Sequence, residues 1–327
     1  MHIPDNYLSP QTCAAMTAVM VPVWVISVKK VKEELPKEKI PMLGVGAAFS
    51  FLGMMFNIPL PGGSTGHAVG GTLIAMLLGP YAACISISVA LAIQALLFGD
   101  GGILAFGANC FNMAFVLPFV GYAVAQLIGK RLKGNRGQLI SAAVGSYAGI
   151  NAAALCAAIE FGIQPYLFHD AAGNALYCPY GLEVSVPAMM IGHLTVFGLA
   201  EVVYTTAIYA FVRKVSPSMI RENESAKTSA GLKALIAALI LATPLGLLAA
   251  GTAWGEWGAD EIAQTGAGYT PSGMQDGFSF RALLPDYSVE GVPEAFGYIL
   301  SAVIGVALLI IVFKLLSLIP RKRKAGV

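Results

Sequence analysis

The stretch AFGYILSAVIGVALLIIVFKLLSLIPRKRK, residues 295–324, is an apolar run that ends in a block of cations. Residues 295–318 carry a single basic residue, Lys314. A helix needs roughly 17–25 apolar residues to cross a bilayer, so the run reads as a transmembrane helix. The RKRK block at 321–324 assigns its last turn to the cytoplasmic side, where positive charge collects. Similar runs recur along all 327 residues, of which 57% are hydrophobic and 12% charged. Soluble domains carry about 25% charged residues. The chain is therefore expected to be an all-α polytopic membrane protein.

The remaining cations set the direction of each span. They gather in KKVKEELPKEK (29–39), in KRLKGNR (130–136) and from Arg213 through Lys233; only Arg281 stands apart. These clusters are expected in the cytoplasm, and the acidic or neutral connections 163–183 and 251–294 outside. The spans are then 11–28, 40–58, a short one at 66–79 broken at Gly79-Pro80, 81–98, 104–128, 138–162 and 184–213. They form a seven-helix module over residues 1–215, with an extracytoplasmic N-terminus. A polar linker (216–231) leads to a module of two transmembrane helices over 232–327, with spans 232–250 and 295–318 flanking the extracytoplasmic segment 251–294. A multi-pass protein of a prokaryotic cell membrane is the expected setting, with lipid and no nucleic acid as its surroundings.

The N-terminus, MHIPDNYLSP, opens with a histidine ahead of the first apolar run. A secretory signal would open with positive charge, whereas the first lysine here is Lys29. Met1-His2 offers three nitrogens to one ion: the Met1 amine, the His2 amide if deprotonated, and the nearer ring nitrogen of His2. They close a five- and a six-membered chelate ring in one plane, which suits Ni(II) or Cu(II). A fourth nitrogen completes the plane, and His67 lies on the same side of the membrane in the outer loop NIPLPGGSTGHAVGG (57–71). Asp5, Asn57, Ser64 and Thr65 are near enough in sequence to orient the imidazoles, although Asn57 and Ser64 could equally cap the loop. Such a site needs Met1 retained and unblocked, and it weakens in acid because its donors must lose protons.

Other candidates carry plainer readings. His193 reads as a buried, hydrogen-bonded histidine. Glu201, eight residues on, reads as its structural partner or as part of a proton relay. Glu160 is close enough to the end of its span to reach water, and His169 reads as a solvated loop residue. Gly145, Gly149, Ala153 and Ala157 recur every four residues, a spacing that lets helices pack closely in lipid, either inside the chain or against another subunit. The five cysteines are scattered without a CxxC pair, so neither a disulfide framework nor a thiolate site is expected. There is no GxxxxGK[ST] phosphate loop, so the chain has no ATPase of its own, and no HExxH, so a metalloenzyme is not expected.

The start MHIPDNYLSP, the loop PGGSTGHAVGG and the segment FGANCFNMAFVLP together resemble the substrate-capture components of nickel and cobalt energy-coupling-factor transporters, the NikM/CbiM family. The resemblance covers about residues 1–215. The C-terminal part resembles the small partner subunit NikN in fused form. Its LLPDYSVEG keeps Pro285 and Asp286 of a PDGLE-like motif, with Tyr287 and Ser288 in place of Gly-Leu. The resemblance implies a nickel site made by the Met1 amine, the His2 amide and imidazole nitrogens and the His67 imidazole, with the terminus folded back into the bundle. It implies Ni(II) as transported substrate with no catalytic residues and no organic cofactor. It also implies a transmembrane coupling subunit and cytoplasmic ATPases as partners. Two readings compete: Co(II) carried by the same architecture, and a proton-coupled carrier using Glu160, His193 and Glu201.

Overall fold

The computed structural model describes residues 1–60, 63–217, 229–249 and 251–319. Within them lie nine helices of eight residues or more: α1 Pro10–Glu34, α2 Ile40–Met55, α3 Gly71–Leu78, α4 Pro80–Phe98, α5 Phe106–Arg131, α6 Gly134–Leu167, α7 Leu182–Val215, α8 Ala230–Leu248 and α9 Glu294–Leu318. All but α2 and α3 are long and apolar enough to cross a membrane. The chain is an all-α polytopic membrane protein. Its RKRK block at 321–324 and most of the linker lie outside the described residues.

Local chemistry sets the helix ends. Ser9 caps α1 by accepting the Thr12 N–H at 3.0 Å, and Pro10 opens its first turn, where a missing N–H costs nothing. The short crossing expected at 66–79 is helical only over Gly71–Leu78 and ends at Gly79, whose φ of 95° suits glycine, before Pro80 restarts the chain as α4. Ahead of α3, the expected loop contains a two-stranded hairpin, with β1 Ile58–Leu60 antiparallel to β2 Ser64–Gly66.

α2 lies at the centre and is buried from Met42 through Met55. Small residues let its neighbours close in. A Cβ on Gly44 would lie 3.1 Å from the Leu309 carbonyl of α9, and one on Gly46 would lie 3.0 Å from Ile74 of α3. The four-residue stripe on α6 faces inward: Cβ atoms on Gly145 and Gly149 would come within 2.5 Å of the Gly121 and Leu117 carbonyls of α5. The stripe is an internal helix contact.

α9 packs on α2, with the Tyr298 hydroxyl donating to the Met55 carbonyl at 3.1 Å. The segment between α8 and α9 crosses the end of the bundle that holds the N-terminus. There Trp254 N–H donates to Ser64 Oγ, Leu284 N–H to the Leu97 carbonyl and Phe278 N–H to Asn6 Oδ1, each at 2.8–2.9 Å. The cationic ends of α1, α5 and α7 gather at the other end, where Arg213 donates to Asn135 Oδ1 at 2.8 Å.

Candidate metal centre

The first three residues are inside the protein. Met1 is 6% exposed, His2 2% and Ile3 0%. Asn109, at the start of α5, holds them in a two-way clasp: Ile3 N–H donates to Asn109 Oδ1 at 2.8 Å, and Asn109 Nδ2 donates to the Ile3 carbonyl at 3.0 Å. Full burial of an isoleucine side chain is worth about 1.5–3 kcal/mol, comparable to the roughly 1–2 kcal/mol needed to order one residue's backbone. The clasp adds its two hydrogen bonds to that balance.

His2 and His67 meet at the centre of this end. Nδ1 of His2 lies 3.3 Å from Nε2 of His67, and the ring centroids are 4.9 Å apart. The other nitrogen of His67, Nδ1, faces the Ala68 carbonyl at 3.3 Å. A proton on Nδ1 donates there and leaves the Nε2 lone pair aimed at His2. The His2 amide nitrogen has no acceptor among the described residues. Gly101 makes room for the ring: its φ is 84°, and a Cβ there would lie 3.3 Å from His2 Cδ2.

Two carboxylates flank the group. Asp100 Oδ1 is 2.9 Å from His2 Nδ1, and its Oδ2 accepts the Tyr287 hydroxyl at 2.5 Å and Gln94 Nε2 at 3.0 Å. Glu256 Oε1 pairs with the Met1 ammonium at 3.0 Å. Burial alone would raise the Asp100 pKa; the charge and hydrogen bond of His2, with the Tyr287 hydroxyl, outweigh it and hold the carboxyl well below its ordinary range. Burial, then the N-terminal charge and His2, push the His67 imidazole well below 6.5. Burial, then the charge of Asp100, push the Tyr287 phenol well above its ordinary range. The group thus presents the neutral imidazole of His67 beside a fixed negative charge.

The residues named from sequence as orienting groups lie around this core with other partners. Asp5 accepts the Ile103 and Leu104 N–H groups at 3.0 and 2.7 Å, and so holds the 100–104 turn. Ser64 accepts the Trp254 N–H. Thr65 is buried in β2, opposite Pro59, and Asn57 is half-buried between α2 and β1. The group that touches His2, Asp100, was not named. Asn109, Glu256 and Tyr287 are likewise not among the residues expected to orient the imidazoles. Asn109 lies in the FGANC segment that carried the resemblance. Tyr287 departs from the PDGLE-like motif, and its φ of 59° is a conformation glycine adopts freely.

His193 and Glu201 do not pair. His193 Nδ1 faces the Met189 carbonyl at 2.8 Å, while Glu201 accepts the Val69 N–H at 2.7 Å. Eight residues of helix separate them by roughly 12 Å along the axis, beyond hydrogen-bond reach. Glu160 is buried instead of reaching water, and accepts Asn112 Nδ2 at 2.7 Å. His169 is exposed, with Nδ1 facing the Asp170 carbonyl at 3.2 Å. Among the described residues no three His, Cys, Asp or Glu side chains converge as a metal-binding group.

A multi-pass helical bundle that draws its own terminus beneath the surface, beside paired imidazoles, has the form of a membrane protein that takes up a small ion. Residues 2–219 match the CbiM model, described as the cobalt uptake substrate-specific transmembrane region, and residues 230–322 match the PDGLE domain. The chain belongs to the CbiM family, in its fused NikMN-type form.

It is 50% identical over 321 residues to the probable fused nickel transport protein LarMN of Lactiplantibacillus plantarum, covering 96% of this chain and 97% of that one. It is 49% identical over 331 residues to the fused nickel transport protein NikMN of Rhodobacter capsulatus, covering 95% of each. A solved structure described as a truncated transition metal transporter superposes with a TM-score of 0.62 at 57% identity, covering 65% of this chain and 99% of that one.

Proposed function

We propose that the chain binds Ni(II) with high affinity on the extracytoplasmic face and serves as the substrate-specific subunit of an ATP-driven uptake system. The ligands are the Met1 amine, the His2 amide nitrogen, Nδ1 of His2 and Nε2 of His67. One observation carries the reading: the buried facing of His2 and His67, 3.3 Å apart, directly beside a buried N-terminus. Metal–imidazole bonds are roughly 2 Å long, so two such donors at right angles lie about 2.8 Å apart, and a small approach closes the pair on one ion. The deprotonated amide and Asp100 bring two negative charges to the dication. On binding, the Met1 ammonium loses a proton to solvent and leaves its ion pair with Glu256, and Nδ1 of His2 gives up its proton and its hydrogen bond to Asp100 Oδ1, the proton passing to the other ring nitrogen or to solvent.

The names of the fused relatives favour nickel; the description of the family model favours Co(II) carried by the same route as a second reading. Residues 1–215 act as the capture module, 216–231 as a cytoplasmic linker and 232–327 as the NikN-like module. The cationic helix ends face the cytoplasm, which leaves the metal centre outside. A transmembrane coupling subunit and cytoplasmic ATPases supply the energy for release inward.

The test is radiolabelled nickel uptake by cells producing the chain with those partners, against cells lacking the ATPases. Accumulation is expected only with the ATPases. Equal uptake without them would contradict the ATP-driven reading and favour a proton-coupled carrier.

A further inference from the structure

Helix α7 holds the segment that carries His67 at three points along one face. The Phe197 ring lies against Gly66, where a Cβ would come within 2.8 Å of ring atoms. Four residues on, the wholly buried Glu201 accepts the Val69 N–H at 2.7 Å and the Gly70 N–H at 3.1 and 3.0 Å. Thr205 steadies the same carboxylate through a hydroxyl at 3.3 Å. Three residues beyond Glu201, Tyr204 lies over Gly70, where a Cβ would be 3.1 Å from the ring, and its hydroxyl donates to the Phe49 carbonyl at 2.5 Å.

The i, i+4, i+7 spacing places all three side chains on one helical face. Gly70 has a φ of 71°, a conformation that directs its N–H and that of Val69 at one acceptor. A carboxylate inside a membrane bundle is costly and needs a specific partner. Here its partners are the Thr205 hydroxyl and two main-chain donors, two and three residues beyond His67.

We propose that Glu201 is a positioning residue of the metal centre: through the Val69–Gly70 turn it fixes the His67 imidazole opposite His2 and so ties the fourth nitrogen donor to α7. The proposal rests on the nickel reading above. It differs from a purely structural role, which would support the bundle without affecting the ligand field of the bound ion.

The test is nickel titration of purified full-length protein in detergent, read by the d–d absorption band, for the native chain and for Glu201→Gln, His67→Ala and the double variant. Glu201→Gln is expected to move the band toward that of His67→Ala and to weaken binding roughly 10–100-fold, the usual consequence of removing a group that orients a metal ligand. In the His67→Ala background it should add nothing. A native band and affinity in Glu201→Gln would overturn the proposal and leave the nickel site standing. A native chain whose band does not depend on His67 would overturn both. Where Glu201→Gln does not yield folded protein, Phe197→Leu decides: it loosens the same hold without touching the charge. It is expected to shift the band in the same direction, and an unshifted band would count against the proposal.

Discussion

Asp100 joins the N-terminus to the segment ahead of α9: one carboxylate oxygen lies 2.9 Å from Nδ1 of His2, and the other accepts the hydroxyl of Tyr287 at 2.5 Å. The second residue of the protein is thus oriented by a loop in the middle, which is braced in turn by the segment ahead of α9. Asp100→Asn keeps the shape and removes the charge. Nickel affinity measured by calorimetry is expected to fall roughly 10–100-fold. Tyr287→Phe removes the hydrogen bond to Asp100, worth about 1 kcal/mol, together with the one its hydroxyl accepts from Gln94 Nε2 at 2.8 Å, and is expected to cost about fivefold or more in affinity. Unchanged affinity in Asp100→Asn would separate the carboxylate from metal binding.

The proposed site requires the free amine of Met1 as a donor. A formyl group retained on the Met1 nitrogen removes its lone pair and opens the five-membered chelate ring. Nickel binding in detergent is expected to be lost while the protein remains folded by circular dichroism. Retained binding would show that the amine is not a donor.

Affinity should depend steeply on pH. The Met1 ammonium and the His2 amide each release a proton, so binding should weaken at least roughly a hundredfold per pH unit as pH falls, and more steeply where the His2 imidazole must release one as well. His67 adds no third proton, because burial and then the N-terminal charge hold its pKa well below 6.5. The sign for stability follows from the same shift. A folded pKa below the unfolded one means that the unfolded chain takes the proton first. The contribution of His67 is therefore present above 6.5 and is lost as pH falls below it. Titrations at pH 8, 7 and 6 check the slope; a flat profile would contradict amide coordination.

The contact between α5 and α6 tolerates no added bulk. A Cβ on Gly149 would lie 2.5 Å from the Leu117 carbonyl, a backbone atom that cannot swing away. Gly149→Leu is expected to lower the thermal stability of the detergent-solubilised protein by more than the 1–3 kcal/mol typical of an overpacked core. Leu155, exposed on the same helix, should accept Ala with little effect.

The helices were legible in sequence because a bilayer demands long apolar runs and sorts cations to one side. Gly79-Pro80 marked its break for the same local reason. The contacts at the metal centre were less legible because they span the chain: Met1 and Glu256 are 255 positions apart, and Asp100 and Tyr287 are 187 apart. Sequence proximity pointed to Asp5 and Ser64 as orienting groups, yet these hold neighbouring loops. Glu201 looked like a partner for His193 because both lie in one apolar helix. The turn that it binds is more than 130 residues away.

The central claim is that the terminal Met1-His2 unit and His67 bind nickel in a plane of four nitrogens. The most direct measurement is the absorption spectrum of purified protein titrated with nickel, for the native chain and for His2→Ala. The account predicts a yellow d–d band of the square-planar nickel–nitrogen type in the native chain and its loss in the variant. The same band and affinity in His2→Ala would contradict it and remove the N-terminus from the site.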